Sequence, residues 1–482
     1  MLHETEITQI RRKVLSELSR LAFTHSLEEQ VQDILTTVVT ENGSRYRCCV
    51  HKERAVLKER INLALSQDMT LPLQEAARRA LEQHKANMPV INVIPEACDE
   101  CPIDKFIVTD ACRNCLAHNC IASCPKKAIK VIQNRAYIDK AMCIECGLCK
   151  RSCRYGAIIE IGRPCERSCS LGAISSADER RVSINYDRCV ACGNCKLACP
   201  FGAIDEQSFI VQVIQQLRSG ARIYAILAPS FVGQFGVKIK PGQVVNGLKK
   251  IGFYEVQEVA VGADAVAMAE ALELSEAVPA TKGFMTTSCC PAFVAMVEKH
   301  MPDLVEHVST TPSPMVMLGR KIKAEDPSAV VVFIGPCTAK KMETKKSGGL
   351  IDFSLTFEEL DAILTGAGVQ LADMPEEGYG TQATYEGNLF ACAGGVAKAV
   401  ISATAAMGMN AAITTQQCDG LENCKTLLTQ VKRGKIKAEL VEGMACSGGC
   451  VNGPGVLADC RVTAKQVERF AVQGQAGNLA GK

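Results

Sequence analysis

Two stretches of the chain each place four cysteines within eleven residues: Cys143-x2-Cys146-x2-Cys149-x3-Cys153 and Cys189-x2-Cys192-x2-Cys195-x3-Cys199. Three thiolates on so tight a loop wrap one iron–sulfur cube, and the fourth crosses to a neighbouring cube. One tetrahedral zinc ion, normally held by two separated knuckles, would be crowded by such a run. A looser third run, Cys112-x2-Cys115-x4-Cys120-x3-Cys124, precedes them, and Cys124, Cys153, Cys169 and Cys199 each stand before the same Ala-Ile tail. Crossing adjacent repeats gives cubes on Cys112, Cys115, Cys120 with Cys153, on Cys143, Cys146, Cys149 with Cys124, and on Cys189, Cys192, Cys195 with Cys169. Cys98, Cys101, Cys165 and Cys199 remain, which counting alone leaves open between a fourth cube and a reduced pair or zinc knuckle at Cys98-x2-Cys101.

The two tight runs match the bacterial ferredoxin pattern, and two matches in one chain imply an electron wire. Further on, Thr287-Ser288-Cys289-Cys290-Pro291, Gly335-Pro336-Cys337-Thr338-Ala339-Lys340-Lys341-Met342-Glu343 and Met444-Ala445-Cys446-Ser447-Gly448-Gly449-Cys450 follow in order. Cys290, Cys337, Cys446 and Cys450, from three distant loops, supply the ligands of one more cube, and Gly448-Gly449 is expected to let backbone approach it. From about Cys98 to Gly455 the chain resembles the FeFe-hydrogenases, whose three signature loops have these residue types in this order. Pro291-Ala292-Phe293 and the extra upstream cysteines resemble a less-studied branch.

The resemblance implies a six-iron H-cluster, a cube joined through the Cys450 thiolate to a two-iron centre with CO, cyanide and a bridging dithiolate. It implies reversible interconversion of H2 with protons and electrons. Lys340 and the Ala228-Pro229-Ser230 backbone would hold the cyanides, because an ammonium and oriented N–H donors suit small anions. By the same resemblance Gly335 and Met444 would flank that centre. Cys289, spare in the ligand count, would begin a proton exit that continues through Glu270, Ser309 and Glu273. Glu270 and Glu273, at i and i+3, share a face of any helix they lie on; a solvated surface pair is the plain alternative. Two positions depart from the family. Met315 replaces a glutamine, and Gly335 replaces a methionine, a loss expected to open space beside the cofactor.

Elements must bring these loops together. Apolar runs at Ile223–Leu227, Gly283–Met285, Val330–Ile334 and Leu440–Met444 each end in one of the reactive loops, as buried parallel strands do in open α/β sheets. The expected fold is an α/β catalytic domain of mostly parallel sheets in two lobes, residues 216–482. A ferredoxin-like α+β array with three to four 4Fe-4S clusters precedes it at 96–215. Residues 1–95 read as a helical region: Ile7, Ile10, Val14, Leu18 and Leu21 recur at helical spacing, and Ser26-x-x-Glu29 reads as a capping box. Asn42-Gly43 predicts a break, and further helices follow at about Glu53–Leu65 and after Thr70, where Pro72 suits the first turn. Cys48, Cys49 and His51, among Arg45, Arg47, Lys52 and Arg54, read either as a docking or ligand patch or, the weightier reading, as packed thiols beside solvated charges, while Cys392, Cys418, Cys424 and Cys460 lack ligand spacing and read as buried.

Composition narrows the rest. The 482 residues carry 54 Lys+Arg and 52 Asp+Glu, a net +2 that recommends neither nucleic acid nor an anionic membrane. Glu4 and Glu6 stand where a secretory leader would be basic, and the uncharged stretch Ala399–Cys418 holds Asn410, Gln416 and Gln417. A cytoplasmic, membrane-free protein is expected, in which 27 cysteines serve metal ligation rather than disulfides. Gly242-x4-Gly247 is followed by Leu248 rather than Lys, so no nucleotide loop is expected and electrons come from ferredoxin, a similar small carrier or a redox partner subunit. Maturation proteins would supply the two-iron centre, and filling every site gives about 22 irons per chain. The alternative is a non-catalytic relative, a hydrogen sensor or an iron–sulfur scaffold.

Overall fold

The computed structural model describes residues 5–40, 46–99, 101–102, 105–176, 181–376, 379–409 and 413–480; the break read at Asn42-Gly43 lies outside them. Two parallel sheets organise the second half of the chain. One has four strands in the order Glu255–Glu258, Ile223–Leu227, Val330–Ile334, Phe353–Leu355, and the other three in the order Met285–Thr286, Leu440–Met444, Thr415–Asp419. Ile223–Leu227 and Leu440–Met444 are central and buried along their whole length; the first is apolar throughout, and the second is interrupted only by the buried Glu442 and Gly443. Strands form at all four expected places, two of them in each sheet, although the run read at Gly283–Met285 is a strand only at Met285–Thr286; the loops at their carboxyl ends line one cavity.

The sulfur-rich segment folds as small antiparallel pairs joined by short helices. Ile91–Val93 pairs with Ile204–Glu206, Phe106–Val108 with Ile158–Glu160, Ile129–Ile132 with Arg135–Ile138, and Ile174–Ser176 with Val182–Ile184. Its first strand therefore begins upstream of residue 96.

The described N-terminal helices do not form a separate unit. The helix Glu6–Phe23 lays Val14, Leu18 and Leu21 into the same core as Phe357, Leu360 and Ile363 of the helix Phe357–Gly366. Helices Val50–Ala64 and Leu73–Leu81 match the expected third and fourth. The Ser26 capping box does not form: its hydroxyl pairs with that of Thr24 at 2.8 Å, and the following helix is only Leu27–Gln30.

Charge clamps the three regions. Arg11 Nε meets Asp205 Oδ2 at 3.1 Å, Arg60 pairs with the same carboxylate, and Lys196 Nζ reaches Glu206 Oε1 at 3.1 Å and Glu358 Oε2 at 3.4 Å. All these side chains are buried. Burial works to raise the Asp205 pKa, but Arg11, Arg60 and Lys196 outweigh it and hold the carboxyl well below its usual range. Buried ion pairs of this kind fix geometry more reliably than they add stability.

Candidate metal centre

Each reactive loop leaves a strand and enters a helix. Cys290 and Cys337 are the residues that precede the first turns of Pro291–His300 and Thr338–Lys346, where exposed backbone N–H groups favour a thiolate. Ala445 N–H donates to Cys290 Sγ at 3.4 Å, which ties the first loop to the third. Gly449 has φ +93°, and a Cβ there would lie 2.6 Å from Ala393 N and 2.8 Å from Ala391 O. Its missing side chain is thus required by the backbone of 391–393, while Gly448 has open space around it.

One cavity receives all of this. Cys290, Cys337, Cys446 and Cys450 line it together with Cys289, Lys340, Met444, Met315 and the Ala228-Pro229-Ser230 backbone, and its other walls include Phe333 and Phe390. Cys192 of the second tight run opens into it from the side. Burial, then the charges of Cys337, Cys290 and Cys450, drive the Cys446 thiol well above its usual range; burial and Cys290 push Cys337 up to about 12. Four thiols so placed cannot all ionise in the protein alone. A centre of high positive charge that takes sulfur ligands resolves the conflict, and the donor set therefore fits an iron–sulfur cube. All the cysteines of the described residues are free thiols.

Lys340 sits in the cavity wall with Nζ 2.7 Å from Glu343 Oε2, 2.9 Å from Ser313 Oγ and 3.4 Å from the Cys289 carbonyl. Ser313 and Glu343 were not read as site residues; Glu343, three after Lys340 on one helix, carried the available signal. Gly335 does not line the cavity. A Cβ on it would lie 2.5 Å from the Phe333 ring and 2.9 Å from the Ala228 Cβ, so the room expected from a missing methionine is filled by Phe333.

Behind Cys289 runs a line of polar groups through an apolar helix pair. Glu270 and Glu273 lie on the helix Val259–Ala277, and Glu270 is fully buried. Its Oε1 accepts from the Ser288 N–H at 3.0 Å and from the Ser288 hydroxyl at 3.2 Å, while Oε2 has no partner among the described residues within hydrogen-bond distance. Burial, only partly offset by Ser288, pushes the Glu270 carboxyl up to about 7. Ser309 Oγ donates to Glu273 Oε2 at 2.7 Å, and Lys282 Nζ to Glu273 Oε1 at 2.6 Å. Burial raises Glu273 most, yet Lys282 and Ser309 together leave it below its usual value. Ser288 is the member of this line that sequence reading missed.

The remaining thiols sort by place. Cys112, Cys120, Cys124, Cys143, Cys149 and Cys153 gather around one small core, with Cys153 and Cys112 acting on Cys120, and Cys143 and Cys146 on Cys149. Cys115 belongs to the first of these loops. Cys169, Cys189 and Cys192 act on Cys195. Cys418 and Cys424 are buried, as expected, whereas Cys392 and Cys460 are half-buried. Cys48 is exposed rather than packed, and its neighbours Arg47 and Lys52 are paired with Asp99 and Glu96 rather than solvated. No helix among the described residues is long and apolar enough to cross a membrane.

Free thiols grouped in sets, beside a cavity where two α/β lobes converge, mark an iron–sulfur protein. The family model for the iron only hydrogenase large subunit, C-terminal domain, matches residues 221–454, and the 4Fe-4S binding domain matches residues 136–159 and 182–205. Iron hydrogenase 1 of Clostridium pasteurianum is 29% identical over 265 residues, 46% of this chain and 46% of that protein, so the match spans about half that relative's length. The periplasmic Fe hydrogenase large subunit of Nitratidesulfovibrio vulgaris is 28% identical over 382 residues, 66% of this chain and 87% of that protein. The cytosolic Fe-S cluster assembly factor NAR1 of Kluyveromyces lactis is 36% identical over 73 residues, 15% of this chain and 16% of that protein. A solved structure of a Chlamydomonas reinhardtii FeFe-hydrogenase variant covers 54% of this chain and 87% of its own at 24% identity, with a TM-score of 0.46. Residues 221–454 belong to the FeFe-hydrogenase family.

Proposed function

We propose that this protein interconverts dihydrogen with protons and electrons at the cavity between the two lobes. When bound there, a six-iron H-cluster would supply the heterolysis of dihydrogen and the one-electron steps. Cys290, Cys337, Cys446 and Cys450 would hold its cube, and Lys340 with the Ala228-Pro229-Ser230 backbone would hold small anionic ligands of its two-iron part. The apolar walls exclude water from this space.

One observation carries the reading: a fully buried carboxyl, Glu270, is hydrogen-bonded to Ser288, the residue next to Cys289 in the cavity wall. A scaffold that only carries cubes has no use for a proton path. In the proposed function the Cys289 thiol exchanges a proton with Glu270, Ser309 passes it to Glu273, and Glu273 releases it beside Lys282. Electrons take a separate route, through Cys192 and its neighbours to the sulfur-rich modules, and leave to a small carrier such as ferredoxin or to a partner subunit. Maturation proteins deliver the two-iron part, and the setting is cytoplasmic.

The match to cluster assembly factors favours a second reading, a scaffold without the two-iron part. Dye-linked hydrogen uptake, after loading with iron, sulfide and a synthetic two-iron precursor, separates the two. Uptake supports the hydrogenase; a fully iron-loaded protein that neither consumes nor evolves hydrogen is the scaffold.

A further inference from the structure

The strand pairing repeats itself in a way that the cysteine count alone does not reveal. In residues 106–160 a short strand, Phe106–Val108, precedes the first cysteine run, a hairpin (Ile129–Ile132 with Arg135–Ile138) joins the two runs, and Ile158–Glu160 follows the last cysteine and pairs back onto the first strand. Residues 91–206 show the same plan on a larger circuit. Ile91–Val93 precedes Cys98, the hairpin of Ile174–Ser176 with Val182–Ile184 separates Cys169 from Cys189, and Ile204–Glu206 follows Cys199 and pairs back onto Ile91–Val93. The spacing agrees in detail, since each of the strands that begin at Ile129, Ile158, Ile174 and Ile204 starts five residues after Cys124, Cys153, Cys169 or Cys199.

One module is therefore inserted inside the other. The host starts at Cys98-x2-Cys101, is interrupted by the guest, and resumes at Cys165-x3-Cys169. Cys101 stands five residues before Phe106 and Cys165 five residues after Glu160. Because the guest's end strands are paired to each other, the chain leaves and re-enters the host at nearly one point. The host's broken cysteine run is rejoined there.

From this topology we infer that Cys98, Cys101, Cys165 and Cys199 hold a fourth 4Fe-4S cluster, at the root of the inserted module. Nothing in the family matches covers Cys98, Cys101 or Cys165. Three further observations agree. All four are free thiols, and Cys98, Cys165 and Cys199 are buried in one cluster of side chains. Cys199 and Cys98 act electrostatically on Cys101, and Cys199 and Cys101 on Cys165, so the set is mutually close. The Cys199 sulfur accepts an N–H bond from Ala203 at 3.2 Å, the bond that Cys169 receives from Ala173 at 3.2 Å and Cys124 from Ala128 at 3.3 Å. Such N–H···S bonds stabilise a thiolate that serves as a cluster ligand. A lone zinc knuckle at Cys98-x2-Cys101 would leave Cys165 and Cys199 without a role in this arrangement.

The place of the site gives it a task, one that rests on the electron path proposed above. Cys165 also acts on Cys195, a member of the set that opens into the catalytic cavity through Cys192. The fourth cluster thus stands between the guest's two clusters and the one nearest the cavity, and joins them into one line.

The test is metal content in the full chain, produced anaerobically and reconstituted with iron and sulfide. Cys98→Ser with Cys101→Ser is expected to lose about four irons and four sulfides per chain against the unsubstituted protein, with no zinc in either. Unchanged iron, or one zinc lost per chain, overturns the inference. Because the readout is a difference, it holds whether or not the two-iron part is present, so failure of the hydrogenase reading leaves it intact. Should the double variant not fold, anaerobic alkylation of the unsubstituted protein decides. Cys98, Cys101, Cys165 and Cys199 are expected to resist the reagent until iron is chelated, while exposed Cys48 reacts throughout; ready alkylation of the four in iron-loaded protein overturns the site.

Discussion

Ser309 donates its hydroxyl proton to Glu273 Oε2 at 2.7 Å, and the same hydroxyl acts on Glu270, a carboxyl with no exposure at all. A hydroxyl in that position can accept from one side and donate to the other, which is what a relay requires. Glu270→Gln keeps the shape and removes the exchangeable carboxyl. Dye-linked turnover is expected to fall by about 100-fold or more, with iron content unchanged. Turnover within a few-fold of the original would remove Glu270 from the path.

The same carboxyl makes stability depend on pH. Burial raises the Glu270 pKa from its ordinary value to about 7, so the folded state holds this proton more tightly than the unfolded chain does. Its contribution is complete below the unfolded value of about 4.3 and is lost as pH rises through about 7. The parent protein should lose stability relative to Glu270→Gln over that window, on the order of 3 kcal/mol, read as converging or crossing thermal midpoints. Parallel midpoint curves would mean that folding leaves the Glu270 carboxyl at its ordinary value.

Asp205 behaves in the opposite sense. Its pKa is depressed by Arg11, Arg60 and Lys196 against the effect of burial, so its contribution is present above the unfolded value of about 3.9 and disappears as pH falls below it. Asp205→Asn leaves three buried cations short of a partner and is expected to cost about 3–5 kcal/mol. Differential scanning calorimetry at neutral pH checks this, and a midpoint shift of less than a degree or two would show that the clamp reorganises around the loss.

Phe333 and Gly335 should be coupled. Gly335→Met places a side chain where the Phe333 ring already lies and is expected to destabilise by about 1–3 kcal/mol. Adding Phe333→Ala removes the ring, so the double variant should be more stable than the sum of the two single losses. Additive losses would place the two side chains in separate spaces.

Lys340 is the one ammonium in the cavity wall among its lining residues. Lys340→Met is expected to leave the iron of the cube in place and to abolish retention of the two-iron precursor, followed by infrared bands of bound CO and cyanide. Strong bands in the variant would assign that anchoring to the backbone at Ala228-Pro229-Ser230 instead.

Much of this was readable before any coordinates, because cubes impose spacing on the chain: Cys143 to Cys153 could have little other use, and apolar runs such as Val330–Ile334 end where reactive loops begin. The division of the strands between two sheets was not readable, since buried parallel strands carry no mark of their neighbours. Thr415–Asp419, written Thr-Gln-Gln-Cys-Asp, hides as a strand because its pairing partner, not its own side chains, makes it one. Phe333 was invisible as the filler of a gap two positions away, because its ring crosses a turn to get there. The tie between Arg11 and Asp205 spans 194 residues, beyond the reach of any local pattern.

The guest module hangs from its host by two neighbouring strands, Phe106–Val108 and Ile158–Glu160. A segment attached in this manner can be excised and the cut ends rejoined with a short bridge, leaving the host free to close. The number of relay stations on such a chain is therefore a modular quantity, adjustable without disturbing the chamber where the reaction takes place.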